Sequence, residues 1–390
     1  MRSLTWAEVL EFRLRRHFLV EAAPGERLVD VVGAVCGIHA QVMPAAELSI
    51  GLRVAGVSRR EVREELWQRR SLVKIAGLRG TLHLFPAAEL PLWLAALRAN
   101  PAPDADRHLE IMGIDAARME AMIAAVAEAL DGRCLSRDEL GEEVVRRVGA
   151  WAAEETFPAF GGRWPSWRLA VSRASGSGLI CFGPSRGNRV TFVRLDQWVG
   201  GGAEMDGAAA LAEVLRRYLR AYGPATHLEF AQWFRMAPAA ARELVGSLAG
   251  ELEEVDVEGH RAWLPAGDAA GGWPPPSGTL RLLPHFDCYA VGGYPRDVLI
   301  PPGVQATAAE RGLRRADLGR PVPALLLDGA VAGVWQRRRA GGRLEVAVEP
   351  YQPLSAGQRR RLEAETARIG EILEAEATLK IGTIDARPHL

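Results

Sequence analysis

Thr226-His-Leu-Glu-Phe-Ala-Gln-Trp-Phe234, followed by Leu252-Glu-Glu-Val-Asp-Val257 and His260-Arg-Ala-Trp-Leu264, decides the fold. Thr226 and Glu229 stand three apart, the spacing at which a hydroxyl and a carboxylate satisfy each other's backbone N–H at a helix start. Phe230, Trp233 and Phe234 then lie on one helical face. Pro238 sits near the start of a second helix that ends near Gly250. Two short runs of alternating polarity follow, joined by Glu258-Gly259, which predicts a hairpin. The amphipathic stretch Gly207 to Tyr222 supplies a first helix. Helices followed by a β-hairpin describe a winged helix, a helix-turn-helix unit with a flanking wing.

The same order is found twice upstream. Thr5 and Glu8 open a helix that runs to about Phe18, Leu28 to Ile38 reads as a second, and Arg60 to Gln68 as a third. Leu72-Val-Lys-Ile-Ala76 and Thr81-Leu-His-Leu-Phe85 then alternate around Gly77-Leu-Arg-Gly80 as a first wing. After a helix-rich bridge, Ser136 and Glu139 form another capping box, and Trp164 to Ala174 predicts a further helix. Strands Gly178 to Phe182 and Arg189 to Val193 follow, joined by Gly183-Pro-Ser-Arg-Gly-Asn188.

A Gly-, Ala- and Pro-rich linker over 265–278 marks a boundary. Beyond it, Leu280 to Leu283, Ala324 to Leu327, Ala330 to Trp335 and Arg343 to Val348 read as strands of a small antiparallel sheet or barrel. A helix from about Ala356 to Ala375, with Arg359-Arg-Arg361 near its start, closes the chain. The expected fold class is therefore α+β: winged helices over 1–100, 101–200 and 201–268, and a β module over 279–390. Trp93, Trp167 and Trp233 fall at helical spacing among apolar residues and are expected in the core, while Gly201-Gly202 and Gly271-Gly272 read as connections.

A chain of 390 residues suits several modules, and its composition of 48% hydrophobic and 25% charged residues is that of a soluble protein. Met1-Arg-Ser-Leu-Thr-Trp6 leads into no apolar run, so no signal peptide is expected. No segment approaches the ~18 apolar residues of a membrane span. The expectation is a cytoplasmic, nucleoid-associated monomer. Cys36, Cys134, Cys181 and Cys288 form no CxxC pair and the histidines no HxxxH or HxH pair, so neither a metal nor another cofactor is expected. The formal net charge is zero, and Lys74 and Lys380 are the only lysines. Any anion recognition must then use arginine forks, which suit phosphates and guanine edges. Tandem winged helices favour a nucleic-acid partner; a protein-interaction scaffold is the competing reading.

Ile38-His-Ala-Gln-Val-Met-Pro-Ala-Ala46 and Leu78-Arg-Gly-Thr-Leu-His-Leu-Phe85 resemble the first winged helix of the AlkZ/YcaQ-type DNA glycosylases. Leu282-Leu-Pro-His-Phe-Asp-Cys-Tyr289, Tyr294-Pro-Arg296 and Leu327-Asp-Gly-Ala-Val-Ala-Gly-Val-Trp335 look like that family's C-terminal β module. The resemblance implies three tandem winged helices curved into a C-shaped channel and completed by a small β-barrel. It also implies excision of N3- and N7-alkylated purines from double-stranded DNA, including bulky adducts and interstrand crosslinks, in DNA repair or in self-resistance of antibiotic producers. The family's catalytic motif, Gln-x-Gln or Gln-x-Asp, falls on His39-Ala40-Gln41, with histidine at the first position. The same strings place Arg79, Thr81 and His83 on the first wing as DNA contacts; the alternative is that Thr81 and His83 face outward as ordinary strand residues.

An alkylated purine already carries positive charge and leaves readily, so the demanding part is an oxocarbenium-like sugar that must be met by water, as in glycoside hydrolysis. A glutamine oxygen can accept a hydrogen bond from that water. An imidazole, unperturbed near ~6.5, can orient it or act as its base. His39 and Gln41 stand two apart, which on extended chain turns both to one side. With two lysines, both away from the motif, a Schiff-base lyase step is disfavoured and a monofunctional enzyme expected. Arg186 and Arg189 on the second wing and Arg337-Arg338-Arg339 in a C-terminal hairpin are phosphate candidates, each weighed against a merely solvated hairpin tip. Asp287 either orients a site histidine or pairs with Arg296. The alternative to a glycosylase is a non-catalytic winged-helix regulator or adduct-binding protein.

Overall fold

The capping boxes read from the sequence are formed. In the computed structural model, the backbone N–H of Thr5, Ser136 and Thr226 each donates 2.7 Å to the carboxylate three residues on, at Glu8, Glu139 and Glu229. Each box starts a helix, at Trp6–Arg16, Arg137–Val148 and His227–Phe234. The structure describes residues 2–100, 114–159, 162–202, 204–268, 278–340 and 342–385; most of the expected linker, including Gly271-Gly272, lies outside them. The chain divides into two compact units, one of residues 1–63, 215–233 and 238–390, the other of 64–214 and 234–237.

In the first unit, hairpin strands Leu252–Val257 and His260–Pro265 pair with Val257 opposite His260, as the Glu258-Gly259 turn requires. The chain start adds an unpredicted parallel edge strand, Arg2–Leu4, with Arg2 opposite Val255. Leu4, Val9, Phe12, Val255, Val257 and Leu264 bury one face of this sheet. Tyr218 packs on Tyr222, Phe230 and Trp233, so the aromatic face read from Thr226 onward is core, Trp233 included.

The C-terminal part corrects one expectation. Its five strands run in the order Leu280–Leu283, Ala324–Leu327, Ala330–Ala340, Arg343–Pro350, Glu376–Ile381, and the two end strands do not pair with each other. The result is an open half-barrel sheet rather than a closed barrel. Helix Ala356–Leu373 packs against both end strands instead, and Leu362, Ile369 and Ile372 enter the core with Leu282, Leu325 and Val346. Ser355 caps this helix and Glu374, left-handed at φ 55°, ends it. That turn returns the chain as Glu376–Ile381, parallel to Arg343–Pro350.

The second unit holds hairpin Leu72–Ala76 with Leu82–Pro86 and hairpin Ile180–Arg186 with Arg189–Arg194. Strand Leu135–Ser136 extends the latter. Helices Ala116–Ala129, Arg137–Val148 and Trp167–Gly176 close a core of Met122, Val126, Leu140, Val144, Trp167 and Phe192. Trp93 is also fully buried. An unpredicted hairpin, Glu155–Ala159 with Gly162–Pro165, precedes the last of these helices.

Helix Met43–Gly51 of the first unit also escaped prediction, because Ala45 to Gly51 are all buried and no polar face marks a period. Its last residue abuts the C-terminal helix: a Cβ on Gly51 would lie 2.5 Å from Cγ2 of Ile372. Gly51→Ala is expected to cost about 1–3 kcal/mol of stability by overpacking, read as a lower Tm. In Gly51→Ala/Ile372→Ala the loss falls short of the sum of the single changes; full additivity would contradict the contact.

Candidate active site

The His39-Ala40-Gln41 segment owes its position to an abrupt helix end. Helix Leu28–Ala34 stops earlier than its apolar periodicity suggests, because Cys36 and Gly37 turn left-handed at φ 63° and 88°. The Gly37 N–H donates to the Val32 carbonyl at 2.9 Å, and that of Cys36 to Gly33 at 3.0 Å, closing the helix in the manner of a Schellman cap. Tyr222 Oη donates to the Val35 carbonyl at 3.1 Å and fixes the exit. The chain is extended over Ile38–His39 and re-enters a helix at Met43, with Pro44 in its first turn. The expected extended exit exists, but the two side chains are not displayed alike. Gln41 is exposed, whereas His39 is only 8% exposed.

Phe286 covers one face of His39. The two rings stack with centroids 4.9 Å apart and planes 25° from parallel. Phe286 is half-buried and left-handed, at φ 56°. A bulky residue in that conformation costs about 1–3 kcal/mol, which its surroundings must offset. They do so on both sides: the Phe286 N–H donates to the Arg320 carbonyl at 2.9 Å, and the next residue is clamped.

That residue is Asp287. Its carboxylate accepts both ends of the Arg53 guanidinium, Nη2 to Oδ1 at 2.7 Å and Nη1 to Oδ2 at 2.8 Å. It also accepts from Ser49 Oγ at 2.6 Å and from the Tyr289 N–H at 3.0 Å. Both side chains of the ion pair are 0% exposed. Burial works against the Arg53 charge, but Asp287 more than offsets it, and the guanidinium is held above its ordinary pKa. The expected pairing of Asp287 with Arg296 is corrected, since Arg296 donates to the Ala290 and Leu318 carbonyls. Nothing local in the sequence singled out Arg53 or Ser49; of the residues involved, only the LLPHFD string drew attention.

Three more arginines bear on the helix that follows the motif. Arg337 Nη2 donates to the Pro44 carbonyl at 3.3 Å. Arg368 donates to the Gly51 and Leu52 carbonyls at 3.1 and 2.9 Å, and Arg63 Nε meets the buried Glu47 carboxylate at 2.6 Å. Burial draws the Arg337 guanidinium below its ordinary pKa, and Glu47 works the other way. Of the basic triplet, Arg337 is thus half-buried beside the motif helix, while Arg338 and Arg339 are exposed. Arg339 reaches the Leu373 carbonyl at 3.4 Å.

The second unit carries the other candidates. Arg79, left-handed at φ 58°, is half-buried in the turn of the first hairpin, and Thr81 Oγ1 donates to the Leu78 carbonyl at 3.0 Å. His83 is 2% exposed and stacked on Phe85. Arg186 meets Glu139 at 3.2 Å and the Cys134 carbonyl at 2.6 Å, and Arg189 is exposed beside it on the same hairpin. Lys74 is buried with its ammonium 5.0 Å from the Phe182 ring centre, and Lys380 is exposed on the last strand. Among the described residues no cluster of His, Cys, Asp and Glu has the makings of a metal site, and no helix is long and apolar enough to cross a membrane.

Removing one partner of the Arg53–Asp287 pair leaves a buried charge. Arg53→Met or Asp287→Leu is expected to cost about 3–5 kcal/mol, and the double change far less than the sum; additive losses on denaturant unfolding would refute the pairing. His17, fully buried beside the pair, has its pKa driven well below 6.5 by burial first and then by Arg53 and Arg13. Its stabilisation is complete above pH ~6.5 and is lost as pH falls below it, because the unfolded chain then takes up a proton that the folded chain refuses. His17→Gln is expected to flatten the decline in Tm below that pH, and an unchanged slope would exclude His17 as its source.

The profile of the family described as DNA glycosylase AlkZ-like matches residues 32–372, which include the His39 motif, the Arg53–Asp287 pair and the first four strands of the half-barrel. A protein of Streptomyces sahachiroi described as an interstrand DNA cross-link repair glycosylase is 32% identical over 339 residues, covering 85% of this chain and 88% of that protein. The solved structure of Streptomyces sahachiroi DNA glycosylase AlkZ has the same mixed α+β fold. Its TM-score to this chain is 0.81 at 30% identity, covering 98% of this chain and 100% of that one. The chain belongs to the AlkZ-like family of DNA glycosylases.

Proposed function

We propose that this glycosylase is monofunctional and hydrolyses the bond between an N7- or N3-alkylated purine and its deoxyribose, with His39 and Gln41 managing the water. The observation that carries the reading is the braced position of the motif. His39 is clamped by Phe286, and Gln41 is exposed just before a helix tied down by Arg337, Arg63 and Arg368. An exposed amide oxygen can hold water against the open face of the sugar, while an imidazole edge orients that water or takes its proton. Because the alkylated base is already a good leaving group, the modest help of one positioned base suffices.

Bulky adducts and interstrand crosslinks are the substrates we favour, because the Streptomyces sahachiroi relative is described as repairing crosslinks. We read the recurring helix-and-hairpin order as three tandem winged helices that hold the duplex. Arg79, Thr81, Arg186 and Arg189 are their proposed backbone contacts, joined by Arg338 and Arg339 of the half-barrel. The burial of His39 is the one observation favouring the alternative, an adduct-binding protein without catalysis.

Incubation with duplex DNA containing N7-alkylguanine separates the two readings: the enzyme releases free base, the binder only shifts the duplex. Gln41→Ala and His39→Ala are each expected to retain DNA binding while lowering excision by about 10²–10⁴-fold, the usual contribution of a positioned base. Full activity in either variant removes that residue from the site. Borohydride trapping is expected to yield no covalent adduct, and a trapped adduct would overturn the monofunctional assignment.

A further inference from the structure

We infer that Phe286 is a positioning residue for base excision: its ring is the platform that fixes the direction of the His39 imidazole. The inference rests on the reading of His39 as a site residue and adds a part that no family resemblance assigned. The stack covers one face of the imidazole, at 4.9 Å and 25°. A ring held by its face cannot turn about its own side-chain bond without losing the contact. The plane in which its two nitrogens lie is therefore held, as a group that must aim at one water requires.

Three observations separate this from ordinary packing. Phe286 is half-buried rather than core, so its ring is not there simply to fill space. It occupies a left-handed backbone conformation, φ 56°, that favours glycine or asparagine, and strain of this kind tends to persist where function needs it. Finally, the contacts form a closed circuit. From His39 the chain enters helix Met43–Gly51, whose Ser49 and the following Arg53 grip Asp287. Asp287 fixes its neighbour Phe286, which returns to His39. The element that carries the imidazole thus also positions the ring that orients it.

The test compares Phe286→Leu, Phe286→Tyr, His39→Ala and the Phe286→Leu/His39→Ala double variant, all as full-length protein. Single-turnover excision and DNA affinity are measured on a duplex carrying N7-methylguanine. Phe286→Leu is expected to lower the single-turnover rate by about 10–100-fold, the scale of a misaimed catalytic group. Its Kd for the duplex stays within about two-fold, because a ring that only positions His39 makes no contact with DNA, whereas a lost DNA contact would weaken binding by more. Phe286→Tyr, which keeps the ring, restores the rate. In the His39→Ala background Phe286→Leu causes no further loss. An unchanged rate per folded molecule in Phe286→Leu would reduce the ring to structure and overturn the inference. So would a loss confined to Kd, which would make Phe286 a DNA contact, or a loss that persists in full without His39. If His39→Ala itself keeps full activity, the catalytic reading of His39 fails first, and the Phe286 proposal with it.

Discussion

A fully buried ion pair joins position 53 to position 287, and the architecture around the motif depends on it. Such a pair is weak evidence for net stability, because stripping two ions of water costs about as much as their attraction returns. Its value lies in intolerance. Once Arg53 is buried, the carboxylate of Asp287 has one acceptable place, and neighbouring backbone must conform. Ser49 and the Tyr289 N–H take up further lone pairs of that carboxylate, so its acceptors are satisfied, while Arg53 Nε is buried without a hydrogen-bond partner among the described residues.

From this centre the C-terminal part acts as a scaffold for a motif that lies near the other end of the chain. The half-barrel contributes Arg337 and its covering helix Arg368, both to backbone carbonyls of the motif helix or its end. Backbone carbonyls are apt receptors for this purpose, because they fix the helix itself and are indifferent to which side chains it carries. His39, the proposed reactive group, stands on a two-residue strand with little rigidity of its own. Here it borrows rigidity from a core of leucines and valines, the kind of support that sites on short connections need.

How much of this was legible in the sequence follows from how local each determinant is. Thr5 with Glu8, Ser136 with Glu139 and Thr226 with Glu229 interact at a spacing of three, so the helix starts were readable. Three of the hairpins were readable because turn residues and alternation lie within a dozen positions, whereas the hairpin of Glu155–Ala159 with Gly162–Pro165 was not read. Helix Met43–Gly51 was not, since burial on every side erases the period that would reveal it. Strand Glu376–Ile381 was hidden for a related reason: its partner lies across an intervening helix, and a parallel edge carries no turn signal. The motif could be located from a resemblance, yet its surroundings could not. Arg53 is one of many arginines, and no spacing rule links it to a carboxylate 234 positions away.

That separation has a consequence for how the protein is made. Ribosomes add about 5–20 residues per second, so roughly 10–50 s pass between the emergence of Arg53 and that of Asp287. During this interval the nascent chain holds an arginine destined for burial without its counter-ion, and the first unit must wait for segments that bracket the second. The second unit, mostly continuous from 64 to 214, meets no such delay. Its hairpins and helices can form on the ribosome before the imidazole is braced, so the unit that carries the proposed DNA contacts Arg79, Arg186 and Arg189 would fold ahead of the unit that carries the proposed catalytic pair.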